Sequence, residues 1–150
     1  MSTNATISRV IKRTDRGLKC QTISVHWDGY LSGVGKKLFH YYTDESKIEE
    51  LFKNGCMSSL GVRISPDQRF THTFDHPQNC TCVFYFRDRH DIWSDCKPWT
   101  YTVKSERDMC KHTYGEYNYL FKDGMWYYRK DYWEHFELLT DNAINNCKGY

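Results

Sequence analysis

The chain has 150 residues, with 21 Lys and Arg set against 19 Asp and Glu for a formal net charge of +2. That is enough for one domain with its own core, and it leaves no basic footprint for duplex nucleic acid. Seven cysteines (20, 56, 80, 82, 96, 110 and 147) are odd in number and include no CxxC pair, so neither a disulfide framework nor a zinc knuckle follows from their spacing.

No apolar run at the N-terminus resembles a signal peptide, and the longest apolar stretch, 83–86, is far too short to span a bilayer. The expectation is a single soluble domain over 1–150, in the cytoplasm, with reduced thiols and no membrane partner. Aromatic residues are in surplus: 12 Tyr, 8 Phe and 5 Trp make up 17% of the chain. Rings with polar tips suit stacking surfaces and subunit interfaces as well as half-buried strands.

Segments 5–13 and 18–27 flank Asp15-Arg16-Gly17, and Ile23, Val25 and Trp27 alternate with Ser24 and His26. This pattern predicts a hairpin. After Gly29 the period changes: Val34, Leu38 and Tyr41 fall at i, i+4 and i+7, which predicts a helix of about three turns. A second helix follows, with Ser46 and Glu49 spaced as a capping box, Ile48, Leu51 and Phe52 as its apolar stripe, and Gly55 as its stop. Both helices are expected on one sheet face.

Residues 56–78 lack periodicity and read as loop or short edge strand. Beyond them, CVFYFRDR (82–89), PWTYTVKS (98–105) and the two arms of YNYLFKDGMWYYRK, which turn at Asp123-Gly124, predict four more strands. Tyr132, Phe136, Leu139 and Ala143 share a helical period and predict a closing helix. The result is an α+β fold: a mainly antiparallel β-sheet with two central α-helices and a C-terminal helix.

Three constellations could carry chemistry. Gly33-Val34-Gly35 opens a helix followed by Lys36 and Lys37, a place where free backbone N–H groups would receive phosphate. Its spacing fits neither a Walker A loop nor a dinucleotide fingerprint, and the same glycines could simply let the helix dock closely. His26, Trp27, Asp28 and Tyr30 combine flat rings with a carboxylate at a strand end; the competing reading puts Trp27 in the core and Asp28 at the turn. Arg87 and Arg89, on a strand, would project to one side and clamp a diphosphate, with Asp88 opposite. Cys80 and Cys82, alternating in the same way, would place both sulfurs on one face. No GxSxG elbow, HExxH or paired His/Cys pattern is present.

Taken together, HWDGYLSGVGKKLFHYY (26–42), FKNGCMSSLG (52–61) and FYFRDR (84–89) resemble small phage-encoded proteins of the Thoeris anti-defence family. The resemblance covers residues 5 to 90. It implies a non-enzymatic protein without cofactor, catalytic residue or metal, assembled as a dimer or higher homo-oligomer. Such a protein binds a cyclic ADP-ribose isomer in the host cytoplasm without cleaving it, so that a bacterial NADase effector stays inactive. Motif position and chemistry together give Trp27, Asp28, Tyr30, Ser58, Ser59, Arg87 and Arg89 as ligand-facing candidates. The chain departs from the family pattern at Leu31, where proline is common, and at His90, where glycine is. Two alternatives stand beside this reading. One is a phosphodiesterase-like enzyme using His26, Asp28 and His72 or His76; the other is a protein-binding inhibitor of a host factor.

Overall fold

β-Branched residues, among them Thr6, Ile7, Val10, Thr22, Ile23 and Val25, build the first hairpin. In the computed structural model, which describes residues 2–147, β1 (Ala5–Thr14) and β2 (Gly17–Val25) pair antiparallel from Ala5↔Val25 to Thr14↔Gly17. Residues Leu31–Gly35 form a wide π-type turn that runs directly into α1 (Lys36–Tyr41), which together make the first helical segment. Next come α2 (Glu45–Lys53), β3 (Met57–Ser59) and a long irregular segment up to β4 (Val83–Phe84). Then follow α3 (Tyr85–Arg89), α4 (Trp93–Cys96) and β5 (Trp99–Val103), and a 3-10 segment at Glu106–Lys111. A second hairpin, β6 (Tyr117–Lys122) and β7 (Met125–Lys130), precedes β8 (Glu137–Leu138) and the single-turn α5 (Asp141–Asn145).

The eight strands form one mainly antiparallel sheet in the order β4-β3-β2-β1-β6-β7-β8, with β5 lying beside β2. Two of its pairings are parallel: β1 with β6, over Ala5↔Tyr117 to Arg9↔Phe121, and the short contact of β2 with β3 at Val25↔Met57. Because strand side chains alternate, Ala5, Ile7, Ile23, Val25, Tyr119 and Phe121 reach one face. There they join Val34 and Leu38 of the first helical segment and Ile48, Leu51 and Phe52 of α2 in the main core. The opposite face holds a smaller cluster of Leu18, Cys20, Val103, Met109 and Leu120. Beside it lie buried polar groups: Ser8 and Thr22 share a 2.7 Å hydrogen bond, and the Thr6 hydroxyl donates to Asn118 at 2.6 Å.

Five expectations need correction. Tyr41 is exposed and Tyr42 takes its place in the core, because α1 ends at Tyr41 and the backbone at Tyr42 turns its ring inward, where the hydroxyl donates to Gly61 O at 2.7 Å. The cap of α2 is Asp44, whose carboxylate accepts from Ser46 N at 2.9 Å, so Ser46 lies inside the helix. The run CVFYFRDR is strand only at Val83–Phe84; the Phe84 N–H is taken by the Asp88 carboxylate at 2.8 Å and the chain coils into α3. The helix expected over 132–143 is instead a turn, β8 and a short α5 capped by Thr140, with Tyr132 on the surface. Cys80 and Cys82 also diverge: Cys80 is exposed at φ +60° and Cys82 is buried. No helix among the described residues is long and apolar enough to cross a membrane.

Candidate functional site

The end of β2 continues past Val25 as an extended edge, since His26 N donates to Met57 O at 3.2 Å and Trp27 N to Ser58 O at 3.0 Å. This register sets the Trp27 ring beside Ser58 and Ser59 of β3 at the mouth of an open groove of about 480 Å³. His26, Ser58, Ser59 and Val83 line one part of it, and Phe74, Pro77, Tyr85 and Arg89 the other. Trp27 is 44% exposed, with His26 edge-on at 4.6 Å. Its face is thus open to a planar partner, although nothing in the sequence forced it out of the core.

Arg89 supplies the groove's cation. Its guanidinium lies over Tyr85 at 4.5 Å and over Phe74 at 4.9 Å, contacts that orient a planar cation without neutralising it. Nε and Nη2 donate to Asp91 at 2.8 and 2.6 Å, while Nη1 has no hydrogen-bond partner among the described residues. Burial pushes the Tyr85 phenol upward, so this hydroxyl stays protonated and can donate. Aromatic faces, two serine hydroxyls and one half-free guanidinium are the groups that would receive a flat heterocycle with an anionic substituent.

Trp27, Ser58, Ser59 and Arg89 therefore converge from separate segments. Asp28, Tyr30 and Arg87 do not border the groove. Asp28 sits at φ +58° in the turn below it; its carboxylate accepts from Tyr30 at 3.2 Å and its carbonyl from Val34 N at 2.8 Å. The amides of Gly33 and Gly35 both point at Tyr30 O, at 2.9 and 3.4 Å, and Lys37 Nζ donates to Leu60 O at 3.0 Å. The phosphate reading of GVGKK is corrected on this ground, since its backbone N–H groups and the Lys37 ammonium are already engaged. Gly33 serves close packing: a Cβ there would stand 2.2 Å from Asp28 O.

Arg87 and Arg89 do not form a clamp, because on one turn of α3 they diverge. Arg87 turns inward and donates to Ile64 O at 2.7 Å, Cys82 O at 2.8 Å and Asp88 at 2.8 Å. Beside it His72 and Asp88 are 3.3 Å apart with side chains only 3% and 4% exposed. Burial opposes ionisation of Asp88, but hydrogen bonds from Arg87 and Phe84 N, with the Arg87 charge, outweigh it and hold the carboxyl below its ordinary value. This cluster braces the structure beneath the surface, so His72 has no open face for a substrate.

Sequence reasoning missed Phe74, Pro77 and Tyr85 as lining residues. In the sequence Tyr85 is indistinguishable from the strand residues around it. Phe74 and Pro77 arrive through the isolated Arg63↔Thr81 bridge, a long-range pairing without a local signal. Comparisons of the chain with protein-family models, curated proteins and solved structures find no match. The resemblance to the Thoeris anti-defence family therefore stands on its motif string alone.

Proposed function

We propose that this protein is a non-catalytic binder that holds a nucleotide signal of the cyclic ADP-ribose type in the Trp27–Arg89 groove, sequestering it from a bacterial NADase effector in the host cytoplasm. The observation that carries the reading is the convergence of an open Trp27 face, Ser58 and Ser59 of β3 and the Arg89 guanidinium on one groove. The base stacks on Trp27, a phosphate meets Nη1 of Arg89 and the serine hydroxyls, and Tyr85 donates to a further oxygen. A ligand with two phosphates keeps the second toward solvent or presents it to another copy of the chain in a homo-oligomer.

The test is retention. Purified protein is incubated with glycocyclic ADP-ribose, freed of unbound ligand, heat-denatured, and the released material analysed by mass spectrometry. Intact ligand is the expected result; an opened product would favour the hydrolase alternative, and no nucleotide would remove both. Stacking on one ring contributes about 1–3 kcal/mol, so Trp27→Ala should weaken binding by roughly 5- to 150-fold by calorimetry.

A further inference from the structure

Residues 66–78 form an Ω-shaped excursion whose roots are tied together: Arg63 N donates to Cys80 O at 3.0 Å and Cys82 N to Arg63 O at 2.9 Å. The excursion is organised from within by Gln78. Its side chain accepts from Asp67 N at 2.8 Å and donates to Asp67 O and Phe70 O at 2.9 and 3.1 Å, while its own N–H donates to His72 Nδ1 at 3.0 Å. Little apolar surface holds it to the body, since Phe70 is 67% exposed and only Phe74 tucks against Tyr85.

Among the described residues, every hydrogen bond between 66–78 and the remainder of the chain passes through one ring. His72 Nε2 faces Asp88 Oδ2 at 3.3 Å and Arg87 Nη2 at 3.3 Å. The Gln78 N–H fixes Nδ1 as the acceptor, which leaves Nε2–H to donate to the carboxylate. Asp88 does not depend on His72, because it also accepts from Phe84 N and from Arg87. The body can therefore stay intact when the ring leaves.

We propose that 66–78 is a lid on the groove, hydrogen-bonded to α3 through His72 alone and otherwise resting on it only by the Phe74 ring against Tyr85 and Arg89, and that release of the His72 ring swings Phe74 and Pro77 away as one unit. Compact loops with few buried apolar contacts open at far lower cost than the core they rest on. The consequence for ligand exchange rests on the groove being the binding site; the opening of the lid does not.

The test uses the full chain and two substitutions. His72→Asn keeps an acceptor at the Nδ1 position for Gln78 N–H but cannot reach Asp88, whereas His72→Gln puts an amide donor near the Nε2 position. Losing one hydrogen bond to a charged group should speed hydrogen exchange of amides in 66–78 by about ten- to a hundredfold in His72→Asn. The change should be smaller in His72→Gln, with β1 and β2 unaltered in both. Unchanged exchange in folded His72→Asn, or exchange in the wild-type loop as slow as in β1, would overturn the lid. In a second arm, glycocyclic ADP-ribose should be released faster from His72→Asn than from the wild type; equal rates overturn the gating role. If the wild type retains no ligand, the groove reading fails and the exchange result still decides the lid.

Discussion

Arg87 and Arg89 sit two residues apart and do opposite jobs, so substitution separates them. Arg87 neutralises a buried carboxylate and satisfies two backbone carbonyls, and Arg87→Ala should cost about 3 kcal/mol by urea denaturation, the scale for breaking a buried ion pair. Arg89 is half exposed, and its pair with Asp91 is a solvent-screened surface pair that contributes little to stability. Arg89→Ala should leave stability nearly unchanged while weakening ligand retention. Asp88 adds a pH signature. Its folded pKa is depressed, so its contribution is complete above the unfolded carboxylate value of about 4 and is lost as pH falls through the folded value. Acid unfolding of Asp88→Asn should accordingly be shallower below about pH 4 than that of the wild type; parallel acid transitions would remove Asp88 from this role.

Single elements were legible where local chemistry decided them. Asp123-Gly124 gave the second hairpin because both residues adopt positive φ, +53° and +78°, as a two-residue hairpin turn demands. A Cβ on Gly124 would meet nothing within 4 Å, so Gly124→Ala should cost only the backbone strain, about 1–2 kcal/mol. Gly33→Ala should cost more, because the new Cβ collides with Asp28 O and must displace the turn beneath Trp27; the two thermal midpoints compare them directly. Elements decided by distant partners were not legible. The sequence CVFYF has every property of a strand, yet Asp88 folds back on the Phe84 N–H and the coil of α3 separates Arg87 from Arg89. In the same way the period shared by Tyr132, Phe136 and Leu139 comes from a turn and a short strand whose side chains go to different environments.

At the scale of the whole molecule, the two hairpins were readable but their union was not. They meet through the parallel β1–β6 pairing at the centre of the sheet, which joins residues more than a hundred positions apart. Asn118 secures it: fully buried, it accepts from Thr6 at 2.6 Å and Gly115 N at 2.9 Å and donates to Gly115 O at 2.8 Å. Asn118→Ala should destabilise the protein by about 2–3 kcal/mol, since it leaves buried donors unpaired. Tyr119 extends the same strand toward the site by donating to Gly29 O at 2.6 Å, so the turn under Trp27 is held from the far end of the sequence. The four groove candidates that converged did so through this long-range frame, which no local window displays.

The Arg63–Thr81 root has one more consequence, for how such a protein can change over generations. Because the excursion leaves and rejoins the body at two points already bonded to each other, its length adds little to the entropy of closing it. Substitutions and insertions between them meet few constraints beyond His72 and Gln78. The wall carrying Phe74 and Pro77 can thus be rewritten while the sheet stays as it is, so a lineage pressed to hold a different molecule could adapt by altering a dozen or so surface residues.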